Sequence, residues 1–561
     1  MCGIWAVFGL NSNLYKHCGT TFTNITHRGP DAWRVEYDAR VKNCCVGFHR
    51  LTIVDSTYGM QPMKLHRYPH SVLTCNGELY NCKRLGKQFG FEYETGSDVE
   101  CIFHLYETQG IDTCVKNLDG VFAFCILDPT KKRVILARDP YGVRPLFRLC
   151  GSDGVLAVCS EAKGLMGIGD ELNGAGWKLQ PFPPGTFEEY ELLEDGTVKL
   201  LRQVKYHSPG DKPSFQTLVP YDELSKSDTL KNIRELFTEA CRKRLMADRR
   251  IGCLLSGGLD SSLVAALLVK LAKEANLPYK IQSFAIGMGD SPDIKAARLV
   301  ADYIGTEHHE IIFTEQDIAT VLDNVIYSLE TADITTIRAS IGMYLIAQYI
   351  KKNTDTTVVF SGEGADELAQ GYIYFRDQPS PDAGHAESLR LLNDIYLYDG
   401  LRADRTMAAH SLELRVPFLD LQFTNYYLSL DKNVRSPQNG VEKHLLRSAF
   451  DGTDLLPHEI LWRHKEAFSD GVTTVKKSLF TIIQEIVDRR IPDDSLSVAD
   501  VKYPHCTPKT KESLYYREIF EKTFPKQAQE LLPYFWMPKW INVSDPSARF
   551  ISHYAADKDK K

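Results

Sequence analysis

The chain is 561 residues long, more than one hydrophobic core can organise and enough for several domain-sized units. Its 43% hydrophobic and 25% charged residues are those of an ordinary folded, soluble protein. A net charge of −7 argues against nucleic acid or another polyanion as the main partner, and no apolar run is long enough to cross a membrane.

In chain order, the first element is MCGIWAVFGL, where a cysteine directly follows the initiator methionine. The stretch is too short for a signal peptide and lacks its basic lead. Short β-type runs follow: CCVGF, SVLTC, VFAFCILD, RVILARD and VLAVCSE. PTKK between the third and fourth of these predicts a hairpin. DVECIFHLYETQG predicts a helix with Val99, Ile102, Phe103 and Tyr106 on one face. This half reads as layered α+β.

From 203 to about 227 the chain turns polar and irregular, with HSPGDKPSF inside it, and a linker is expected there. Beyond it IGCLL, IQSFAIG, HEIIF and TVVFSG read as buried strands, separated by helical stretches such as SSLVAALLVKLAKEA. That alternation predicts a parallel sheet with helical crossovers, an α/β domain. The tail, 546–561, ends in DKDKK and reads as a solvated end. The 14 cysteines form neither CxxC pairs nor a compact secreted framework, so reduced thiols and a cytoplasmic (cytosolic) location are expected.

RIGCLLSGGLDSSLVAALL is the most informative stretch. An apolar strand runs into Ser256-Gly257-Gly258, and Leu259-Asp260-Ser261-Ser262 opens a helix. Two glycines let the backbone turn tightly, so that N–H groups and hydroxyls can surround an anion. The helix N-terminus adds partial positive charge suited to phosphate, and Asp260 is a candidate ligand for the accompanying Mg²⁺. No Walker GxxxxGK[ST] pattern exists. An ordinary capped turn would use some of the same residues. The full SGGxDSS pattern is similar to the pyrophosphate loop of the ATP pyrophosphatases, which split ATP between the α and β phosphates.

TVVFSGEGADEL ends a second buried strand in Ser361-Gly362, followed by Glu363, Gly364 and Asp366. Ligands of open α/β sheets collect at the carboxyl ends of the strands, so both junctions are expected on one edge. Glu363 is a candidate general base and Asp366 a second Mg²⁺ ligand, although an acidic first turn also complements a helix dipole. DITTIRAS, LELRVPFLD and WRHKEAFSDG set Arg338, Arg415 and Lys465 among apolar residues, where surface charge or an ion pair is the plainer local explanation.

Cys2 can now be weighed. Once the methionine is removed, it carries a thiol and a free α-amine on one residue. A free thiol has a pKa of about 8.5, and an α-amine near 8 is about 10% unprotonated at pH 7, so the residue would bring its own base. THRGPD offers a tight turn, GFHRLTIVD puts Arg50 at a strand end, and CNGELYN puts Asn76 and Gly77 in a turn.

CGI, HRGPD, HRLTIVD, NGELYN, the SDVE around Asp98 and RDPYGVRPLF together resemble a class II glutamine amidotransferase domain. Joined to SGGLDSS, SGEGADEL, ITTIRAS and WRHKEAFSDG, they make the chain from Cys2 to about Trp540 similar to the glutamine-hydrolysing asparagine synthetases. The resemblance implies an N-terminal-nucleophile hydrolase sandwich (αββα) over 2–202, a linker over 203–227, an ATP-pyrophosphatase-like α/β domain over 228–545, and a flexible tail over 546–561.

It also implies roles. Cys2 would attack the side-chain amide of glutamine, with Asn76 and the Gly77 N–H as oxyanion hole. Arg50 would hold the substrate α-carboxylate and Asp98 its α-amine, with Leu51, Thr52, Ile53, Val54 and Glu78 lining the pocket. Leu254, Ile286, Ser361 and Gly362 would hold ATP, and Ser256, Gly257, Gly258, Asp260 and Ser261 its pyrophosphate. Arg338 would bind the β-aspartyl-AMP intermediate, Lys465 would neutralise phosphate charge, Glu363 would accept a proton from ammonia, and Asp260 and Asp366 would hold Mg²⁺. Ammonia would cross between the sites through a water-poor passage. The partners are then glutamine, aspartate and ATP, without nucleic acid or membrane; a homodimer stays open.

Other glutamine amidotransferases would share the first half but not SGGLDSS. A tRNA-modifying pyrophosphate-loop enzyme would be basic and often Cys-paired. A binding protein that had lost catalysis would be expected to lack Cys2, Asp260 or Glu363, and all three are present.

Overall fold

Period-two burial explains how the first strand is placed. In β1 (Gly3–Phe8), Ile4, Ala6 and Phe8 enter one core while Trp5 and Val7 enter another, so the strand lies between two apolar layers. A computed structural model describes residues 1–172, 176–289, 291–465, 472, 477–543 and 545–546 of the chain.

The first half adds β2 (Ala32–Glu36), β3 (Cys44–Arg50), β4 (Val72–Leu79), β5 (Gly120–Asp128), β6 (Arg133–Arg138), β7 (Phe147–Gly151), β8 (Leu156–Cys159), β9 (Trp177–Pro181), β10 (Thr186–Leu192) and β11 (Val198–Lys205). They form two antiparallel sheets, ordered β2-β3-β1-β8-β7-β9 and β11-β10-β6-β5-β4. The sheets pack face to face through Ile4, Phe8, Phe48, Ala123, Leu127 and Leu136. Helix α1 (Glu100–Asn117) covers the outer face of the second sheet with Ile102, Phe103 and Tyr106 against Phe122 and Phe124. The layers are αββα, and the β5–β6 hairpin turns at the expected PTKK.

β11 continues to Lys205, three residues into the expected linker, because it completes its ladder with β10. The rest of that segment is irregular yet docked: Phe215 is buried, Gln422 donates to the Val219 carbonyl, and Asn425 donates to the Gly210 carbonyl at 2.7 Å.

The second half is built on β12 (Arg250–Leu254), β13 (Gln282–Gly287), β14 (Glu307–Ile312), β15 (Thr356–Phe360) and β16 (Glu413–Arg415), in the order β14-β13-β12-β15-β16 and parallel throughout. α2 (Thr229–Arg242), α3 (Leu259–Glu274), α4 (Pro292–Ile304), α5 (Glu315–Leu329) and α6 (Ile334–Asn353) cover it. α3 and α6 present apolar residues almost all round, as crossover helices between layers do. α7 (Asp399–Ala408) then runs between the sheet and the first half, and α8 (Lys511–Thr523) packs on α5. β12 and β15 are adjacent, so the SGG and SGEGAD junctions leave the same edge. All 14 cysteines are free thiols.

Candidate active sites

The first candidate site lies at the start of β1 and the end of β3, beside β4, where Asn76 and Gly77 are strand residues paired with Ala123 and Phe122 rather than the expected turn. The Cys2 thiol is partly exposed, donates to the Leu51 carbonyl at 3.5 Å and accepts from the Leu51 N–H at 3.4 Å. Burial pushes the thiol pKa up, opposed by the neighbouring N-terminal amine, the Leu51 contact and Arg50. Met1 is buried, and burial lowers its amine to about 6; that amine donates to the Leu412 carbonyl at 3.5 Å.

Asn76, on β4, is buried and its Nδ2 has no hydrogen-bond partner, so a buried amide donor is unused at this site. Gly77 follows because nothing larger fits: a Cβ there would stand 2.4 Å from the Val121 carbonyl oxygen. Asp98 accepts from the Leu79 N–H at 2.6 Å, and burial raises its pKa to about 6. Burial and the nearby Glu413 also push Glu78 well up, while Arg415 lies 3.7 Å away.

Arg50 turns its guanidinium onto the carbonyls of Asp55 and Tyr58, the second at 2.6 Å. Thr52 donates its N–H to Asp31 at 2.8 Å, and the Ile53 carbonyl accepts from Asp248 of the second half at the same distance. Val54 is half-buried beside them. The strand end carrying the expected glutamine pocket is therefore tied to the other half of the molecule.

The second candidate site is a cavity of about 200 Å³ at the carboxyl edge of the parallel sheet. Leu254, Ser256, Gly258, Asp260 and Ser261 line it from the first junction, and Ser361, Gly362, Glu363 and Asp366 from the second. The loop is closed by its own hydroxyls: Ser256 Oγ and Ser261 Oγ are 3.0 Å apart, and the Gly258 N–H donates to Ser256 Oγ at 3.3 Å. Gly257 turns the chain at φ +71°, with its α-carbon packed on the Ala296–Ala297 backbone.

Charges pair inside this cavity. Lys443 bridges Asp260 at 2.5 Å and Asp366 at 2.6 Å, and Lys465 holds both oxygens of Asp366 at 2.9 and 2.7 Å. Burial opposes ionisation of Asp366, but the two lysines outweigh it and hold its pKa below the usual carboxylate range. Lys465 is likewise raised by Asp366 against its own burial. Glu363 behaves differently. Burial, with Asp399, Asp366 and Asp260 nearby, lifts its pKa to about 7, although Arg402 donates to it at 2.9 Å.

Family comparisons bear on the whole chain. A model of the glutamine amidotransferase domain matches residues 1–176, and one of asparagine synthase matches 232–543. Curated glutamine-hydrolysing asparagine synthetases are similar nearly end to end. Those of Cricetulus griseus and Mus musculus are 55% identical over 558 and 561 residues, and that of Homo sapiens is 54% identical over 561; each covers 99% of both chains. The chain belongs to the glutamine-hydrolysing asparagine synthetase family.

Within that family's pattern, three expected residues stand apart from the cavity lining: Gly257, whose turn packs on Ala296 and Ala297, Ile286 and Arg338. Ile286 sits in the core at the end of β13. Arg338, on α6, is bound by Glu512 at 2.6 and 2.8 Å and by Asp545 at 2.9 and 3.0 Å, so its charge is already engaged away from the cavity. The latter half of WRHKEAFSDG, from 466 to 471, lies outside the described residues.

Cavity-lining groups not expected from sequence include Lys443 and Arg402, the latter donating to Asp399 behind it at 2.5 Å. Asp399 and Arg402 stand at i,i+3 on α7, a spacing that reads as a surface pair. Lys443 has no local signal at all, being 183 residues from Asp260.

Mg²⁺ can be tested against this donor set. Among the described residues no group of three or more metal-type ligands exists. Asp260 Oδ1, however, is buried without a hydrogen-bond partner, and Asp366 is held ionised beside it. Mg²⁺ that arrives on phosphates needs only one or two carboxylates, so these two fit. Among the described residues no helix is long and apolar enough to cross a membrane.

Proposed function

We propose that the protein makes L-asparagine from L-aspartate and L-glutamine at the expense of ATP, with each half of the chain supplying one site. With Met1 removed, the Cys2 amine takes the thiol proton and the sulfur attacks the glutamine amide carbon. Asn76 Nδ2 and the Gly77 N–H receive the developing oxyanion; ammonia leaves, and water releases glutamate from the thioester. Arg50 and Asp98 orient the substrate by its α-carboxylate and α-amine.

In the second site the SGGLDSS loop holds the leaving pyrophosphate while the aspartate side-chain carboxylate attacks the α-phosphate, giving β-aspartyl-AMP. Lys465 and Lys443 would exchange their carboxylate partners for phosphate oxygens. Asp260 and Asp366 would hold Mg²⁺, which supplies positive charge to the phosphates when bound. Ammonia then attacks the acyl carbon, Glu363 accepts the proton, and AMP leaves. A carboxylate with a pKa near 7 suits that exchange at neutral pH. Arg338 would exchange Glu512 and Asp545 for the β-aspartyl-AMP intermediate.

The observation that carries this reading is the meeting of SGGLDSS, Glu363 and Lys465 in one cavity. Incubation with glutamine, aspartate and Mg-ATP, followed by phosphorus NMR and amino-acid analysis, tests it. Asparagine, AMP and pyrophosphate are expected in equal amounts, with at least as much glutamate. Stoichiometric ADP and orthophosphate would overturn it.

A further inference from the structure

Helix α7 is gripped from both active sites. Arg402 reaches from it to Glu363 at 2.9 Å in the synthetase cavity. Two residues on, Asp404 receives both terminal nitrogens of Arg28 at 2.9 and 3.0 Å. The same guanidinium donates from Nε to the main-chain carbonyl of Cys2 at 2.9 Å and from Nη1 to Glu161 at 2.7 Å. Arg28 has no exposed surface and Asp404 is 2% exposed.

A helix of ten residues thus joins the main chain of the nucleophile to the carboxylate of the second cavity through two guanidinium bridges. Apolar side chains would hold a domain interface together as well as a buried ion pair does. What the bidentate pair adds is orientation, because the planar fork fixes both the distance and the angle of its partners. Arg402 lines the cavity that aspartate and ATP enter, so its pairing with Glu363 must adjust to their charge. A short helix passes such a shift along its axis as a rigid body.

We infer that Asp404 is a positioning residue coupling the two sites: through Arg28 it sets the Cys2 main chain, and through α7 that setting follows the occupancy of the synthetase cavity. The inference rests on the proposed roles of Cys2 and of the cavity. Glutamine's α-groups are held elsewhere, by Arg50 and Asp98, so the coupling acts on kcat for glutamine hydrolysis and leaves KM nearly alone.

The test is the glutaminase rate of the full chain with and without aspartate plus α,β-methylene-ATP, which cannot release pyrophosphate. In the wild type kcat should change about fivefold or more, the low end of ordinary coupling between sites. Asp404→Asn should lose this response, with KM for glutamine within about twofold of the wild-type value and ammonium-dependent synthesis retained. Glu330→Gln is the control. Glu330 is also buried at this interface and binds Arg405 at 3.0 Å and the Lys163 N–H at 2.8 Å, but it does not contact Arg28. Its variant should keep the response. If Asp404→Asn does not fold, Arg28→Lys, whose single ammonium nitrogen lacks the planar fork that spans these acceptors, should show the same loss. An unresponsive wild type, a full response in Asp404→Asn or Arg28→Lys, or its loss in Glu330→Gln would overturn the coupling. A wild type that neither hydrolyses glutamine nor makes asparagine would instead overturn the reading beneath it.

Discussion

The two candidate sites meet the same problem, holding polar groups out of water, in opposite ways. Around Cys2 the hydrogen-bonding groups include a thiol and the Asn76 amide, whose nitrogen has no partner, and burial raises the two acids, Asp98 to about 6 and Glu78 well up. Around SGGLDSS they are charged and satisfy one another, as Lys443 and Lys465 do with Asp260 and Asp366. The first site is laid out for a neutral amide and has little to rearrange when it binds. The second must trade internal ion pairs for the charges of its substrates, so pH and salt should register there first.

The hardest test of this contrast is Cys2→Ala. It should abolish glutamine hydrolysis and glutamine-dependent synthesis by about 10⁴-fold or more, while asparagine is still made from ammonium. Asparagine yield with each nitrogen donor measures it. Loss of both routes would mean that the sites are not separable.

Glu363→Gln should do the reverse. Synthesis should fall about 10²–10⁴-fold with either nitrogen source, and basal glutaminase should persist. The pH profile sharpens this. A base must be unprotonated to accept a proton, and Glu363 has a pKa raised to about 7. Glutamine-dependent synthesis should therefore rise as pH increases through about 7, and no inflection should appear there in basal glutaminase.

Asn76→Ala removes one donor from the Cys2 site and should lower glutaminase kcat about 10²–10³-fold with little change in KM. An equal rise in KM would make Asn76 a ground-state binder. The smallest effect is expected of Gly77→Ala, which forces a methyl group against the Val121 carbonyl. It should cost about 1–3 kcal/mol of stability, read as a lower midpoint of thermal unfolding of the first half, and ammonium-dependent synthesis should survive.

The strands and crossover helices were legible because alternation and helical spacing are local, and β1, the β5–β6 hairpin, α1 and β12 through β15 fall where those periods put them. The SGGLDSS and SGEGAD junctions could be paired from sequence because both follow buried strands. Lys443 could not, since its approach to Asp260 depends on how the chain returns across 183 residues and on a left-handed turn at φ +55°. Arg28 is an instructive miss. HRGPD reads as a turn, which Gly29 and Pro30 make possible, but the arginine faces inward to the second half of the chain. Arg338 is the converse case: a basic residue in a recognisable motif whose ion-pair partners, Glu512 and Asp545, lie far downstream. Charge pairing across hundreds of residues leaves no periodic trace.

The buried charges between the halves also set how the chain can be recombined. Arg28, Glu161 and Lys163 on one side neutralise Glu330, Asp404 and Arg405 on the other, away from water. A chimera that took its first 205 residues from a distant relative would need the same acid–base pattern on both faces. Each unmatched charge would cost about 3–5 kcal/mol. The irregular segment after Lys205 is where the polypeptide is easiest to cut, but residues 399–408 have to be inherited together with the N-terminal half.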